Sequence, residues 1–363
     1  MNFKKIGFIG LGLIGGSIAK AVKKYQPESE IFAFTKTSSQ LIKAKSDGIV
    51  DIILEDLNEN ISGLDIVFLC TPVEHNEFYL KKIAPFVGKN TVITDVGSTK
   101  SSIHKLAVEL DLEDVFIGGH PMAGSEKTGY DASDGLLLEN AYYMLTPSSK
   151  IPPDKLNNLI ALISDIKSIP FVIDYKKHDN VVATISHLPH ILASTLVNLV
   201  KDSDYEDGIM KRVAAGGFKD ITRIASSSPI MWEQICMDNK GPINIILRKY
   251  IDSLEDVYSN LSKGIPLYIN NIFEKSGEYR NSFDSNTRGV IISKHDISVH
   301  IKDKPGAISV ISAILAANSI SIKNIGINHN RENGEGALNI SFYDADSCDM
   351  AYKLLKEYNY KLE

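Results

Sequence analysis

Cysteine and tryptophan are scarce in this 363-residue chain, which has three of the first and one of the second. Cys70, Cys236 and Cys348 stand far apart and odd in number, which offers neither a disulfide framework nor the ligand spacing of a zinc site. No run approaches the roughly 20 consecutive apolar residues of a membrane span. A formal charge of −6 gives no basic excess for nucleic-acid phosphates. Met1-Asn2-Phe3-Lys4-Lys5 runs straight into a glycine-interrupted apolar segment, without the continuous hydrophobic region of a secretory signal. These absences predict a cytoplasmic protein with no metal, membrane or nucleic-acid partner, and point to a small-molecule ligand. What is present is an ordinary globular composition, 44% hydrophobic and 23% charged. The length exceeds one hydrophobic core and predicts three domains.

The short apolar run Lys5-Ile6-Gly7-Phe8-Ile9 is followed at once by Gly10-Leu11-Gly12-Leu13-Ile14-Gly15 and a helical pattern from Ser17 to Lys24. Strand, glycine turn, helix is the context in which Gly-x-Gly-x-x-Gly binds a dinucleotide. Gly10 permits the tight turn, Gly12 lets a pyrophosphate approach the backbone, and Gly15 allows close helix packing, with the phosphate at the helix start around Leu13 and Ile14. A second strand, Ile31 to Phe34, leads to Thr35-Lys36-Thr37-Ser38-Ser39. An NAD site usually carries a carboxylate there, and Thr35 stands in its place. Lys36 and the hydroxyls suit the extra phosphate of NADP, or else the N-cap of the next helix.

Apolar strands recur at Ile66 to Cys70, Thr91 to Thr94 and Val115 to Gly118, with a helical pattern near Glu77 to Ala84 between the first two. This alternation predicts a doubly wound parallel sheet, whose ligands lie at strand C-termini. The loops there are Thr71-Pro72-Val73, Asp95 to Lys100 and His120-Pro121-Met122-Ala123-Gly124-Ser125-Glu126, so three separated segments are expected to line one crevice. A last strand pair, Ala141 to Thr146 and Phe171 to Ile173, flanks a helix from about Pro153 to Ser168.

From Tyr175 the texture is helical. Val181, Val182, Ile185, Leu188, Ile191, Leu192, Leu196 and Leu199 form a stripe that predicts a long helix with one buried face. Pro189 should kink it near His187 and His190, each of which suits a core position or a ligand. A second helical block, Ala214 to Ala225, places Lys219 and Arg223 four apart on one face, with Asp220 adjacent. That arrangement suits a surface ion pair or a guanidinium that grips a carboxylate in bidentate fashion.

Five motifs in this order resemble the prephenate dehydrogenases: Gly10-x-Gly12-x-x-Gly15, Asp95-Val96-Gly97-Ser98-x-Lys100, His120-Pro121-Met122-Ala123-Gly124, Ser186-His187-Leu188-Pro189-His190 and Phe218-Lys219-Asp220-x-Thr222-Arg223-Ile224-Ala225. The resemblance implies an α/β chain with a Rossmann domain over 1–173 and an all-α dimerisation and substrate domain over 174–280. It also implies oxidative decarboxylation of prephenate to 4-hydroxyphenylpyruvate, with hydride passing to NAD or NADP. His120 matches the histidine that accepts the substrate hydroxyl's hydrogen bond, and Ser98 the serine that orients it. Arg223 matches the arginine on a substrate carboxylate, and His190 the second histidine of the pocket. Glu126, Lys219, Asp220 and Trp232 match residues that shape or gate that pocket. Gly10, Gly12, Leu13, Ile14, Gly15, Thr35, Lys36, Thr71 and Pro72 fall to the cofactor. Arogenate, which differs from prephenate by an amine, is equally compatible as substrate. A β-hydroxyacid dehydrogenase, with a lysine on the middle helix as acid/base, is the other enzymatic reading, and a non-catalytic nucleotide sensor the reading from another class.

A polar stretch from about Tyr279 to Ser293 predicts a linker. Beyond it, an alternating strand Ile297 to Ile301, the turn Asp303-Lys304-Pro305-Gly306-Ala307, a helix Ile308 to Asn318, strands Ile320 to Ile327 and Gly336 to Phe342, and a helix Ser347 to Glu357 form a βαββαβ pattern over 294–363. This resembles an ACT domain. The resemblance implies a homodimer and a tyrosine effector, with Gly306, Ala307 and Asn318 as candidate contacts, or a module that only stabilises the dimer.

Overall fold

The computed structural model describes residues 3–36, 38–124, 127–283, 295–302, 304–330 and 335–362. Ser125, Glu126, Asp303 and the linker from 284 onward lie outside the described residues. The chain divides into two compact units, Met1–Glu274 and Lys275–Glu363.

The first unit opens with β1 (Lys5–Ile9), α1 (Leu13–Tyr25), β2 (Glu30–Phe34), α2 (Ser38–Ser46), β3 (Ile52–Ile53), β4 (Ile66–Leu69), α3 (Val73–Ile83), β5 (Val92–Asp95), α4 (Ser101–Glu109), β6 (Phe116–Pro121), β7 (Tyr142–Pro147), α5 (Pro153–Asp165) and β8 (Ile169–Val172). They build one eight-stranded sheet in the order β3-β2-β1-β4-β5-β6-β7-β8. Every residue of β4 and β5 is buried, as expected of parallel strands covered on both faces. The two-residue period divides β4 between two cores: Ile66 and Phe68 pack with Ile6, Phe8 and Ile18 on one face, Val67 and Leu69 with Tyr79, Ile103 and Phe116 on the other. Phe8 and Phe68 stack with ring centres 5.1 Å apart. Each such side chain contributes about 1.5–3 kcal/mol of burial.

The sheet is mixed, contrary to the all-parallel expectation. β7 runs antiparallel to β6 and β8 parallel to β7. A parallel return needs a long crossover, normally a helix. Among the described residues between β6 and β7 only the single 3-10 turn Tyr130–Ala132 occurs. The pairing also lengthens β6, so that His120 lies within the strand, opposite Met144, rather than in a loop beyond Gly118.

The helical part comprises α6 (Tyr175–Val182), α7 (Leu188–Ser203), α8 (Ile209–Val213), α9 (Gly216–Thr222), α10 (Pro229–Asp238), α11 (Lys240–Ser262) and α12 (Pro266–Asn281). A π-helical turn, Ala183–His187, joins α6 to α7 just before Pro189, so the predicted bend is absorbed as a wider turn, a feature common at functional sites. Of the predicted stripe, Val182 and Leu188 are buried, whereas Ile185 and Leu199 are more than half exposed. The expected single helix from 214 to 225 is broken. Thr222 bonds its hydroxyl back to the Phe218 carbonyl at 2.6 Å, α9 stops there, and Arg223 begins a 3-10 turn, Arg223–Ser226. By length and composition the run Tyr175–Ser203 is also apolar enough to cross a membrane; its first turns instead carry polar groups bonded into the sheet region.

The second unit contains β9 (Asp296–Lys302), α13 (Ala307–Ala317), β10 (Ile322–Asn330), β11 (Glu335–Phe342) and α14 (Ala345–Glu357). Its antiparallel sheet runs β10-β11-β9 around Val299, Leu315, Leu338, Ile340 and Leu355. The expected last strand contracts to one bridge, Leu362 against Val299. Gly306 holds φ +85° at the start of α13, a left-handed conformation that favours glycine. The amide of Ala307 donates to the Lys304 carbonyl at 3.2 Å. Asn318 closes the same helix, with its side chain on the Ile314 carbonyl at 2.9 Å.

Candidate active site

The glycine turn is held at the C-terminal end of β1 by its neighbours. Gly10 has φ +93°, and its amide donates to the Phe34 carbonyl at 2.8 Å. A Cβ on Gly10 would lie 2.8 Å from the Cys70 carbonyl oxygen, and one on Gly15 2.6 Å from the Gly10 oxygen. Gly12 differs: nothing lies within 4 Å of the place its Cβ would take. The backbone is thus open where a pyrophosphate must approach. The first turn of α1, from Leu13 through Ile14 to Gly15, has N–H groups without intrahelical acceptors and no acidic side chain to occupy them. Thr35 is half-buried and Lys36 exposed just past β2. Across the turn, the amide and hydroxyl of Thr71 bond to Asn76 Oδ1 at 3.2 and 2.6 Å, and Pro72 precedes α3. These residues fit a dinucleotide.

Two strands along the sheet, a buried ion pair organises the segment after β5. Asp95 pairs with Lys100 Nζ, accepts the Gly97 amide at 2.8 Å on the same oxygen, and accepts the Gly119 amide at 3.1 Å on the other. One carboxylate therefore ties its own loop to β6 next to His120. Both partners are essentially solvent-free, and removal of either would leave a buried charge uncompensated. Ser98 sits half-buried in this loop. No hydrogen bond joins it to His120 among the described residues.

His120 is bonded elsewhere. Its Nδ1 lies 2.9 Å from His178 Nε2, and His178 Nδ1 lies 2.9 Å from Asp179 Oδ1. The Asp179 carboxylate also accepts the backbone amides of Lys100 at 2.9 Å and Ser101 at 2.8 Å, at the start of α4. Burial pushes the Asp179 carboxyl up, but these hydrogen bonds, that from His178 foremost, outweigh it and hold it below the usual carboxylate range. Burial, reinforced by the nearby charges of His178, Lys100 and His187, holds His120 well below the ordinary histidine range. Burial likewise lowers His178 and brings His187 and His104 to about 4. The cluster is neutral imidazole near pH 7, the form a general base requires.

Asn239 extends the network. Its amide donates to the Asp179 carbonyl at 2.9 Å and to His187 Nδ1 at 3.1 Å. Trp232 stands edge-on to His187 and stacks on His190 at 3.8 Å. His190 Nδ1 donates to the Ser186 carbonyl at 2.9 Å, which leaves Nε2 as an acceptor. Burial first, then the charge of Arg223, lowers His190, and the turn that starts at Arg223 packs on α7. Lys219 and Asp220 are exposed on α9, one turn earlier. Among the described residues no metal-binding cluster occurs.

Family models for the prephenate dehydrogenase nucleotide-binding domain and dimerization domain match residues 18–169 and 174–271. A prephenate dehydrogenase of Bacillus subtilis (strain 168) is 38% identical over 96% of this chain and 94% of its own length. The chain belongs to the prephenate dehydrogenase family. Among solved structures, a prephenate dehydrogenase from A. aeolicus in complex with hydroxyphenyl propionate and NAD+ superposes with TM-score 0.72 at 28% identity, over 78% of this chain and 99% of that one. An arogenate dehydrogenase from Synechocystis gives 0.70 at 28% identity, over 77% and 99%.

In this prephenate dehydrogenase family member, one network runs from His120 through His178, Asp179, Asn239 and His187 to Trp232 and His190. Sequence reasoning named His120, His190, Trp232 and Arg223 but passed over His178, Asp179 and Asn239. A signal existed: His178 stands one turn before Val182 of the predicted apolar stripe, on a face where a buried polar residue needs a partner.

Proposed function

We propose that this chain oxidises prephenate to 4-hydroxyphenylpyruvate and CO₂ with NAD as hydride acceptor. One observation carries the reading: a half-buried, neutral His120 stands near the C-terminal end of β6, in the same sheet as the glycine turn, and is linked through one hydrogen-bonded network to a helical region that bears Arg223. Bound NAD supplies a nicotinamide that accepts the hydride. His120 accepts the hydrogen bond of the substrate hydroxyl and takes its proton as hydride leaves the same carbon. Arg223 holds a substrate carboxylate and so fixes which ring carbon faces the nicotinamide. His190 Nε2 accepts a further hydrogen bond from substrate, and Trp232 walls that side. Ser98 is read as a contact between the histidine, substrate and cofactor. Lys219, Asp220 and Glu126 are read as residues that help shape or gate the pocket. Loss of CO₂ needs little assistance, because the ring becomes aromatic.

The same reading takes 1–173, 174–280 and 294–363 as cofactor, substrate and regulatory domains. It makes the protein a homodimer, supported by large apolar side chains exposed on the helices and by the description of the matching dimerization-domain model. It treats the second unit as an ACT domain that binds tyrosine near Gly306, Ala307 and Asn318, a reading that rests on the βαββα order and the glycine turn. The test is purified protein with prephenate or arogenate and NAD+ or NADP+, with and without tyrosine, followed by absorbance of the reduced nicotinamide. Reduction with prephenate and NAD+ is expected. Reduction with arogenate alone would move the substrate, reduction with NADP+ alone would move the cofactor, and no reduction with any pair would overturn the enzymatic reading. An unchanged rate with tyrosine would remove the effector.

A further inference from the structure

With both rings neutral, the residues behind His120 form a chain whose protons have one consistent placement. Asp179 is an ionised acceptor that already receives two backbone amides, so the hydrogen between it and His178 must sit on His178 Nδ1. A neutral His178 then offers a lone pair at Nε2, and the hydrogen of the 2.9 Å contact must come from His120 Nδ1. That leaves His120 Nε2 bare.

We propose that His178 and Asp179 are positioning residues that fix the proton of His120 on Nδ1, keep its Nε2 as the base, and hold the proton it acquires until the ring oxygen takes it back. The inference rests on the reading that His120 deprotonates the substrate hydroxyl. When that O–H bond breaks, an N–H bond forms at His120 Nε2, and the Nδ1 hydrogen can shift to His178 Nε2. The positive charge then lies on His178, against the Asp179 carboxylate. Hydride leaves to the nicotinamide, and the electron pair of the broken bond to CO₂ enters the ring and makes it aromatic. The ring oxygen ends as a phenol, so the proton returns along the same path and none is released overall. A closed, solvent-free relay suits that balance: His178 is fully buried and the Asp179 side chain nearly so.

The surroundings favour the same assignment. His178 faces Asp179 from its own helix, and Lys100 and Asp95 from the β5–α4 segment. His120 faces His178, Lys100 and His187. Lys100 is neutralised by Asp95, so among the described residues that face the two rings Asp179 is the carboxylate left to balance a charged histidine. A doubly protonated His178 would reverse the pattern. It would donate from both nitrogens, force His120 Nδ1 to accept, and place the hydrogen on Nε2, where it abolishes the base.

The test is nitrogen NMR of the full chain with ring-labelled histidine, read without substrate and so independent of the substrate's identity. The expected spectrum has His120 protonated on Nδ1 and bare on Nε2. Asp179→Asn keeps an amide oxygen facing the Lys100 amide and His178 Nδ1 but removes the carboxylate charge, so His120 should keep its tautomer while kcat falls ~10²-fold or more, for want of the charge that balances a protonated His178, at little change in KM. His178→Gln keeps an acceptor at the Nε2 position but cannot hold a proton. It should retain the wild-type tautomer, lose about 10-fold or more in kcat, and bind NADH as before. A wild-type His120 protonated on Nε2, or full kcat in folded Asp179→Asn, overturns the inference even if prephenate oxidation stands. Should Asp179→Asn not fold, the wild-type spectrum and His178→Gln still decide.

Discussion

The sheet region and the helical region of the first unit solve burial differently. β4 and β5 are sealed on both faces by the same chain, down to the paired charges of Asp95 and Lys100. The helices leave Leu199, Ile245, Tyr258 and Phe273 more than 60% exposed. A sheet covered on both faces closes its own core, whereas long amphipathic helices with apolar residues on more than one side close theirs only against another surface. The site uses both regions. Under the proposed function, the base rides on the sealed sheet, and the groups that would hold the base and grip the substrate ride on the open helices.

The largest effect expected of a single change lies on the sheet side. His120→Asn should lower kcat by ~10²–10⁴-fold and leave the melting temperature and KM nearly unchanged; a variant with normal turnover would make β6 a scaffold only. Next, Lys100→Met strands the Asp95 charge and should destabilise the fold by about 3–5 kcal/mol, measured by denaturant unfolding. A loss below 1 kcal/mol would show that this loop is not sealed after all. On the helical side, Arg223→Gln should raise KM for prephenate by roughly 10–100-fold, with a smaller change in kcat, because a charge-assisted carboxylate contact is worth ~1.5–3 kcal/mol. The smallest effect belongs to the exposed apolar face. Leu199→Ser should change unfolding free energy by no more than about 0.5 kcal/mol in a monomer, yet weaken self-association measured by sedimentation. A large loss of monomer stability would mean the helices close their own core.

Acid should act on both regions alike. His104 and His187 are lowered to about 4 by burial, so the folded protein binds fewer protons than the unfolded chain between that value and the ordinary ~6.5. Their neutral burial therefore supports stability fully above pH ~6.5 and loses it as pH falls toward 4, at about 1.4 kcal/mol per pH unit for each ring. Replacing His104, which bonds Thr146 at 2.8 Å and stacks on Tyr175, with a neutral residue should flatten that slope even where it lowers stability at neutral pH.

Local pattern carried much of this. Strand, glycine turn and helix at residues 5 to 24 are written in apolar spacing and in the Gly10-x-Gly12-x-x-Gly15 pattern. The strands up to His120 follow from continuous apolar runs, and the second unit's βαββα order from alternation and turn residues. These features depend on residues near one another in sequence. The reversal of β7, the break before Arg223 and the exposure of Ile185 did not show, because each depends on which distant surface is available to pair or to cover. The site divides the same way. Residue type and spacing singled out His120, His190 and Arg223, and the family resemblance attached roles to them. Only the tertiary structure decided what stands behind His120, because the hydrogen bond to His178 joins residues 58 apart in sequence. The proton position on an imidazole is set by its partner across space, and no local pattern encodes that partner.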